Sequence, residues 1–176
     1  MTISKKIRLE GIAIHEAGHA VIATVFKLPV NTVRMDDSTG SCIVDRDLNM
    51  SEAEDAEKMI MIALAGQWAQ YLFRKLTCKV SNYDMDENIV RRKIKVMCEN
   101  RLISPLARDQ VALLTELPND LPAQMQVHVE ANERNIRRVA GELLYARQLS
   151  GEQVSRIMAV RDGRIVADNV PDLWTI

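Results

Sequence analysis

The feature that most constrains this chain is the stretch of residues 12–23, whose centre has the pattern His-Glu-x-x-His. In an α-helix, His15 and His19 lie one turn apart on the same face, so both imidazoles can reach one metal ion. Glu16 lies beside them, where a carboxylate can act as a general base towards a water molecule. The pattern therefore predicts a zinc-binding helix, with His15 and His19 as ligands and Glu16 as the base.

The residues around this pattern are typical of a buried helix. They are mostly apolar, and no proline interrupts them from residue 2 to residue 28. In the alternative interpretation, both histidines are hydrogen-bonded core residues that bind no metal. The chain has only three histidines, and the fact that two of them stand at this spacing favours the metal site.

Length and composition predict one domain, residues 1–176, of mainly α class. Glycine and proline are scarce, at 7 and 5 residues, while good helix formers dominate. A net charge of −1 indicates neither a nucleic-acid partner nor an anionic membrane surface. Three widely spaced cysteines without a Cys-x-x-Cys pair, and no signal-peptide or membrane-spanning pattern, lead us to expect a cytoplasmic protein.

Two short β segments are expected directly after the first helix. That helix is predicted from about residue 4 to residue 26, with Ser4 as its N-cap. Residues 30–35 and 41–44 flank a polar turn at residues 36–40. We expect a hairpin or small sheet that lies against the zinc helix, with an exposed strand edge to which an extended peptide substrate could add.

Helices account for most of the rest of the chain. The second is predicted to start after Ser51, with Glu54 in the position of a capping box, and to run through Phe73. Ser150 is expected to cap the last helix. The other predicted elements are helices from about 83 to 97, from 104 to 114, from 123 to 147 and from 151 to 160, and a tail at 161–176 that is either a strand or loosely ordered.

A third zinc ligand has to come from outside the motif, since catalytic zinc normally has three protein ligands and one open position. Residues 20–25 lack the third histidine of the metzincins, which excludes that class, and His128 stands in the long helix predicted near the C-terminus. A carboxylate is therefore expected. Two acidic groups at predicted helix starts compete, and spacing alone does not choose between them: Glu52, Glu54, Asp55 and Glu57, or Asp84, Asp86 and Glu87.

Four segments of the chain, in order, resemble the peptidase domain of the FtsH family of ATP-dependent zinc metalloproteases. Residues 14–21 look like its zinc motif, and residues 64–69, Leu-Ala-Gly-Gln-Trp-Ala, are similar to its L-A-G-x-x-A-E helix. Residues 81–85 resemble its S-N-D-L segment, and residues 149–154 its L-x-G-E-E-I element. The first segment is highly specific, and the other three gain weight from their order.

This resemblance implies a role for each matching residue. His15 and His19 would be zinc ligands, Glu16 the base, and Asp84 the third ligand at the aspartate of the S-N-D-L segment. Because Tyr83 is inserted in that segment, Asp86 is the alternative ligand.

Two departures from the family pattern accompany the resemblance. Gln70 stands where the family has a glutamate, which indicates an altered contact behind the metal ligands. The chain also lacks the G-x-x-x-x-G-K-[ST] motif of an ATPase and a membrane anchor, so we expect a peptidase domain that stands alone.

The expected function is that of a zinc-dependent metallopeptidase acting on peptides or unfolded protein segments, with a separate ATPase or further copies of the chain as possible partners. The alternative is an FtsH-like domain with weak or no catalysis that serves as a regulatory or partner-binding module.

Overall fold

The computed structural model describes residues 3–45, 53–74 and 121–160. These residues form a mainly α structure with one small antiparallel sheet, which confirms the predicted fold class. The helices are α1 (Ile3–Val25), α2 (Ala53–Arg74), α3 (Leu121–Ala131), α4 (Glu133–Ala146) and α5 (Gly151–Ala159). The strands are β1 (Val30–Met35), β2 (Gly40–Val44) and β3 (Gln148–Ser150).

Helix α1 is the centre of the core. Every residue from Leu9 to Ala23 is buried, so this helix is covered on all sides, and it packs against α2, α4 and both strands of the hairpin. Its bounds confirm the sequence prediction to within one residue. Ser4, however, lies inside the helix, so its assignment as the N-cap was wrong.

The C-terminal end of α1 is set by backbone hydrogen bonds. Lys27 adopts a left-handed conformation with φ of 61°, and its N–H donates to the Thr24 carbonyl. The Leu28 N–H donates to the Ala23 carbonyl at 2.9 Å, which completes a Schellman motif. Pro29 follows and directs the chain into β1.

The predicted hairpin is confirmed. β1 and β2 pair antiparallel, with Met35 opposite Gly40, and the turn between them is held by the Asp36 carboxylate, which accepts hydrogen bonds from the N–H groups of Ser38 and Thr39. These bonds, led by that from the Ser38 N–H, hold the pKa of Asp36 below its ordinary value of 3.8.

The third strand was not predicted. β3 is only three residues long and pairs antiparallel with β1, so that β1 lies at the centre of the β2-β1-β3 sheet. Its middle residue, Leu149, is buried opposite Val33. A segment this short shows no alternation of its own, and its partner strand fixes its conformation.

The long helix predicted from residue 123 to residue 147 was wrong, because two helices meet at Asn132. The Asn132 side-chain amide donates to the His128 carbonyl at 2.9 Å, and the Asn132 N–H bonds to Val129, three residues back. A side chain that binds the backbone locally competes with the regular helical pattern. The break at Asn132 divides the segment into α3 and α4.

Helix α5 begins as predicted, at a capping box. The Ser150 hydroxyl accepts from the Gln153 N–H, and the Gln153 side chain accepts from the Ser150 N–H at 2.7 Å. The bounds of α2 also confirm the predicted helix, which was expected to run through Phe73. Ser51, residues 75–120 and the tail at 161–176 lie outside the described residues, so the elements predicted there stay predictions. Among the described helices, none has the length and apolar character needed to cross a membrane.

Candidate metal centre

The three motif residues are buried on α1. His15, Glu16 and His19 are 1%, 2% and 6% exposed. The two histidine rings meet edge to face, and their Nε2 atoms are 3.0 Å apart. The structure thus brings together the two histidines that the sequence assigns to one metal ion.

Glycines bring α2 close to this face of α1. A Cβ atom built at Gly18 would lie 2.8 Å from the Ala65 carbonyl oxygen, and one built at Gly66 would lie 2.6 Å from the Nε2 atom of His19. Both distances are too short for a real carbon atom. Small residues at both positions therefore allow the α2 backbone to approach the histidines, and the packing of the two helices fixes the rings.

The Nδ1 atom of His19 is held by the backbone of α2. It lies 2.6 Å from the carbonyl oxygen of Ile62. Because a carbonyl oxygen only accepts hydrogen bonds, Nδ1 must carry the proton. The neutral ring then has its lone pair on Nε2, the atom that faces His15.

The Nδ1 atom of His15 is held by Gln70, which is buried in α2. The Gln70 side-chain amide donates to the Gly11 carbonyl at 2.9 Å, which turns its oxygen towards His15, 3.2 Å from Nδ1. The amide oxygen accepts only, so Nδ1 of His15 is also the protonated nitrogen. The structure therefore places the amide of Gln70 directly behind His15, one of the two predicted ligands.

These hydrogen bonds leave two lone pairs facing each other. Nε2 atoms 3.0 Å apart, both without a proton, repel each other, and a cation close to both would relieve this repulsion. Two nitrogens at the usual zinc distance of about 2.0–2.1 Å and a tetrahedral angle would be about 3.3 Å apart, close to the observed value. The chemistry of the donor set therefore fits zinc. The alternative cation is a proton, which would make one ring a buried imidazolium at a cost in desolvation.

Glu16 lies against the beginning of β2. A Cβ atom built at Gly40 would lie 2.5 Å from the Cγ atom of Glu16 and 2.7 Å from Oε1, so only glycine leaves room for this carboxylate. Gly40 pairs with Met35 of the central strand, while the other side of β2 is an edge of the described sheet. The candidate base thus borders a strand edge.

The predicted third ligand is not among the described residues. Asp84 and Asp86 lie outside them, as do the side chains of Glu52, Glu54, Asp55 and Glu57. Within the described parts of the chain, no group of three or more His, Cys, Asp or Glu side chains is placed to hold a metal ion. His128 packs its ring against Phe26, with the ring centroids 5.1 Å apart, just beyond the end of α1.

Two features of the site have no clear signal in the sequence. The acceptor for His19 is the Ile62 main-chain carbonyl, which any residue would supply. Gly40 lies in the segment that the sequence predicts as a turn, where glycine is common for other reasons, so its contact with Glu16 shows only in the folded chain. Gly66 was visible as part of the Leu-Ala-Gly segment, and the structure shows why a glycine stands there.

Comparison of the sequence with models of known protein families gives no match, and comparison with curated proteins gives none either. The assignment of a function therefore depends on the residues and on the geometry of the site.

Proposed function

We propose that this protein is a zinc-dependent metallopeptidase of the FtsH-like type that hydrolyses peptides or unfolded protein segments. One observation carries the proposal: the Nε2 atoms of two buried imidazoles lie 3.0 Å apart, and the Nδ1 atom of each ring faces an acceptor on α2. Acceptors of this kind behind ligating histidines are the usual support of protein zinc sites.

His15 and His19 would supply two ligands, and Asp84 is the proposed third, with Asp86 as the alternative. A bound zinc ion would polarise the scissile carbonyl and lower the pKa of its water towards neutrality. The residues of this chain would hold the ion rigidly, because α1 is buried from Leu9 to Ala23 and both rings are hydrogen-bonded at Nδ1.

Glu16 would be the catalytic base. Its carboxylate follows His15 directly on α1 and is confined by Gly40, so it has little freedom to move away. It would take a proton from the attacking water and deliver that proton to the nitrogen of the leaving amine. Both transfers need a carboxylate in this place, since an amide can hold the same shape but accepts no proton.

The edge of β2 is the proposed place for the substrate backbone. β1 has partners on both sides, whereas β2 has a partner on one side within the described sheet. An extended peptide that pairs with the outer side of β2 would run past Gly40 and hence past Glu16. Ile43, whose surface is 44% exposed, adds an apolar contact along the same strand.

Replacement of Glu16 tests the mechanism. The Glu16→Gln variant should bind one zinc ion per chain, as the wild type does, and cleave neither casein nor a peptide library. Glu10→Gln makes the same change in a buried glutamate of the same helix and should leave cleavage intact. Retained cleavage by Glu16→Gln would refute the assigned base.

Replacement of the two aspartates identifies the third ligand. Asp84→Asn should abolish stoichiometric zinc binding, measured by metal analysis after dialysis, while Asp86→Asn should keep it. The opposite result would transfer the role to Asp86.

Zinc binding without cleavage by the wild type would favour the second candidate, a regulatory or partner-binding module. Gln70 in place of the family's glutamate is the observation that motivates it. A wild-type protein that binds no zinc and is unaffected by chelators would instead favour a metal-free pair of core histidines.

A further inference from the structure

We infer that Gln70 is a positioning residue that sets the tautomer of His15, and that an amide, not a carboxylate, is the group suited to this position. The assignment of the tautomer stands on geometry alone. Its consequence for zinc affinity rests on the proposed function.

The Gln70 side chain bridges two points of α1 that are one turn apart. Its oxygen lies 3.2 Å from Nδ1 of His15, and its nitrogen donates to the carbonyl of Gly11 at 2.9 Å. Gln70 is 5% exposed, so water does not compete for these bonds. Because the Gly11 carbonyl accepts only, it orients the amide, and the amide in turn requires a proton on Nδ1 of His15.

A carboxylate would satisfy only half of this arrangement. It could accept from His15, but its other oxygen would face the Gly11 carbonyl oxygen at about the present 2.9 Å. Two acceptors at that distance in a buried place repel each other and are costly to leave unsatisfied. The carbonyl of Gly11 thus discriminates between glutamine and glutamate at position 70.

His19 provides an internal reference within the same molecule. Its Nδ1 atom is bonded to the main-chain carbonyl of Ile62, which no change at position 70 removes. Loss of the Gln70 acceptor should therefore free the tautomer of His15 and leave that of His19 unchanged. The freed His15 ring gains an alternative, donation from its Nε2 atom to Nε2 of His19, 3.0 Å away.

The experiment is 15N NMR of the imidazole rings in zinc-free protein at roughly pH 8, above the ordinary pKa of histidine. In the wild type, both rings should show the Nδ1–H tautomer. In Gln70→Met, which keeps the length of the side chain and removes both hydrogen bonds, His15 should shift to Nε2–H while His19 stays Nδ1–H. Gln67→Met, a half-buried position on the same helix, is the matched control and should change neither ring.

Two further measurements follow from the argument. Zinc affinity, measured by competition with a chromophoric chelator, should fall about 10- to 100-fold in Gln70→Met and stay unchanged in Gln67→Met. Gln70→Glu should keep the Nδ1–H tautomer of His15 but melt at a lower temperature than the wild type, because of the repulsion at Gly11.

An Nε2–H tautomer of His15 in the wild type would overturn the inference, whether or not any variant folds. So would a folded Gln70→Met variant with unchanged tautomer and affinity, or a Gln70→Glu variant more stable than the wild type. If the His15 tautomer changes when Gln70 is replaced but the wild type binds no zinc, the positioning role is supported and the proposed function is refuted.

Discussion

Gly66 allows a direct test of the packing that builds the candidate metal centre. A Cβ atom at this position would lie 2.6 and 2.8 Å from the Nε2 and Cε1 atoms of His19, and 2.8 Å from the carbonyl oxygen of His15. None of these atoms is the free end of a flexible chain. The ring is hydrogen-bonded to Ile62, and the carbonyl belongs to the buried α1 backbone.

The Gly66→Ala substitution should therefore destabilise the protein despite its better helix propensity. Overpacking costs about 1–3 kcal/mol, and the upper end applies where three contacts fall below 3.0 Å against fixed groups. Alanine in a helix gains about 1 kcal/mol over glycine. The net loss should be about 2 kcal/mol, or a decrease in Tm of about 4–8 °C for a chain of this length.

Thermal and urea unfolding with a chelator present would measure this loss without a contribution from bound metal. Because His19 is displaced, zinc affinity should also fall by about 10-fold or more. Gly141→Ala is the control for helix propensity, since Gly141 borders an open groove between α4 and α5, and this change should be neutral or stabilising. A Gly66→Ala variant as stable as the wild type, with undiminished zinc affinity, would refute the close approach of α2 to the histidines.

Three further predictions concern the base, the last helix and the hairpin. Gly40→Ala should displace the Glu16 carboxylate and lower kcat in a peptide-cleavage assay. Metal analysis should show that the zinc stoichiometry stays at the wild-type value. An unchanged kcat would contradict the contact between Gly40 and Glu16. Ser150→Ala removes the capping box of α5 and should cost about 1 kcal/mol in urea unfolding, whereas Ser155→Ala, at an exposed position on the same helix, should cost little. The hydrogen bond from Lys5 to Asp37, and next the positive charge of Lys5, lower the pKa of Asp37 below 3.8. The ionised carboxylate therefore stabilises the fold above pH 3.8, and this contribution is lost as the pH falls through the lowered pKa. The stability difference between wild type and Asp37→Asn should accordingly shrink on acidification from about pH 6 to pH 2 and with added salt; a constant difference would argue against the ion pair.

Local patterns in the sequence were sufficient for most of the described secondary structure. The apolar run around the His-Glu-x-x-His pattern predicted α1 to within a residue at each end, and the polar turn after residue 35 predicted the hairpin. The serine before α5 predicted the N-cap of that helix. Each of these signals acts over a few neighbouring residues, so it can be recognised before any partner in space is known.

Errors arose where a distant or competing contact decides the conformation. β3 exists because β1 supplies hydrogen bonds to a segment more than 110 residues further along the chain, with the Thr32 hydroxyl also donating to the Leu149 carbonyl. The helix predicted through Asn132 ends there because the side chain of this residue bonds to the His128 carbonyl, although asparagine is tolerated inside many helices.

The same distinction between local and distant contacts applies to the candidate metal centre. The four-residue spacing of the histidines on a helix is enough to place both rings on one face, because the helix repeat is a property of the local backbone. Which nitrogen of each ring carries its proton depends on a carbonyl 43 residues away for His19 and an amide 55 residues away for His15. Both partners come within hydrogen-bond distance of the rings only when α2 packs against α1, and Gly18 and Gly66 allow this close packing. The sequence alone therefore identified the candidate ligands. The tertiary structure decided that the Nε2 lone pairs of His15 and His19 face each other, because the acceptors that hold the Nδ1 protons are brought to the rings only by folding.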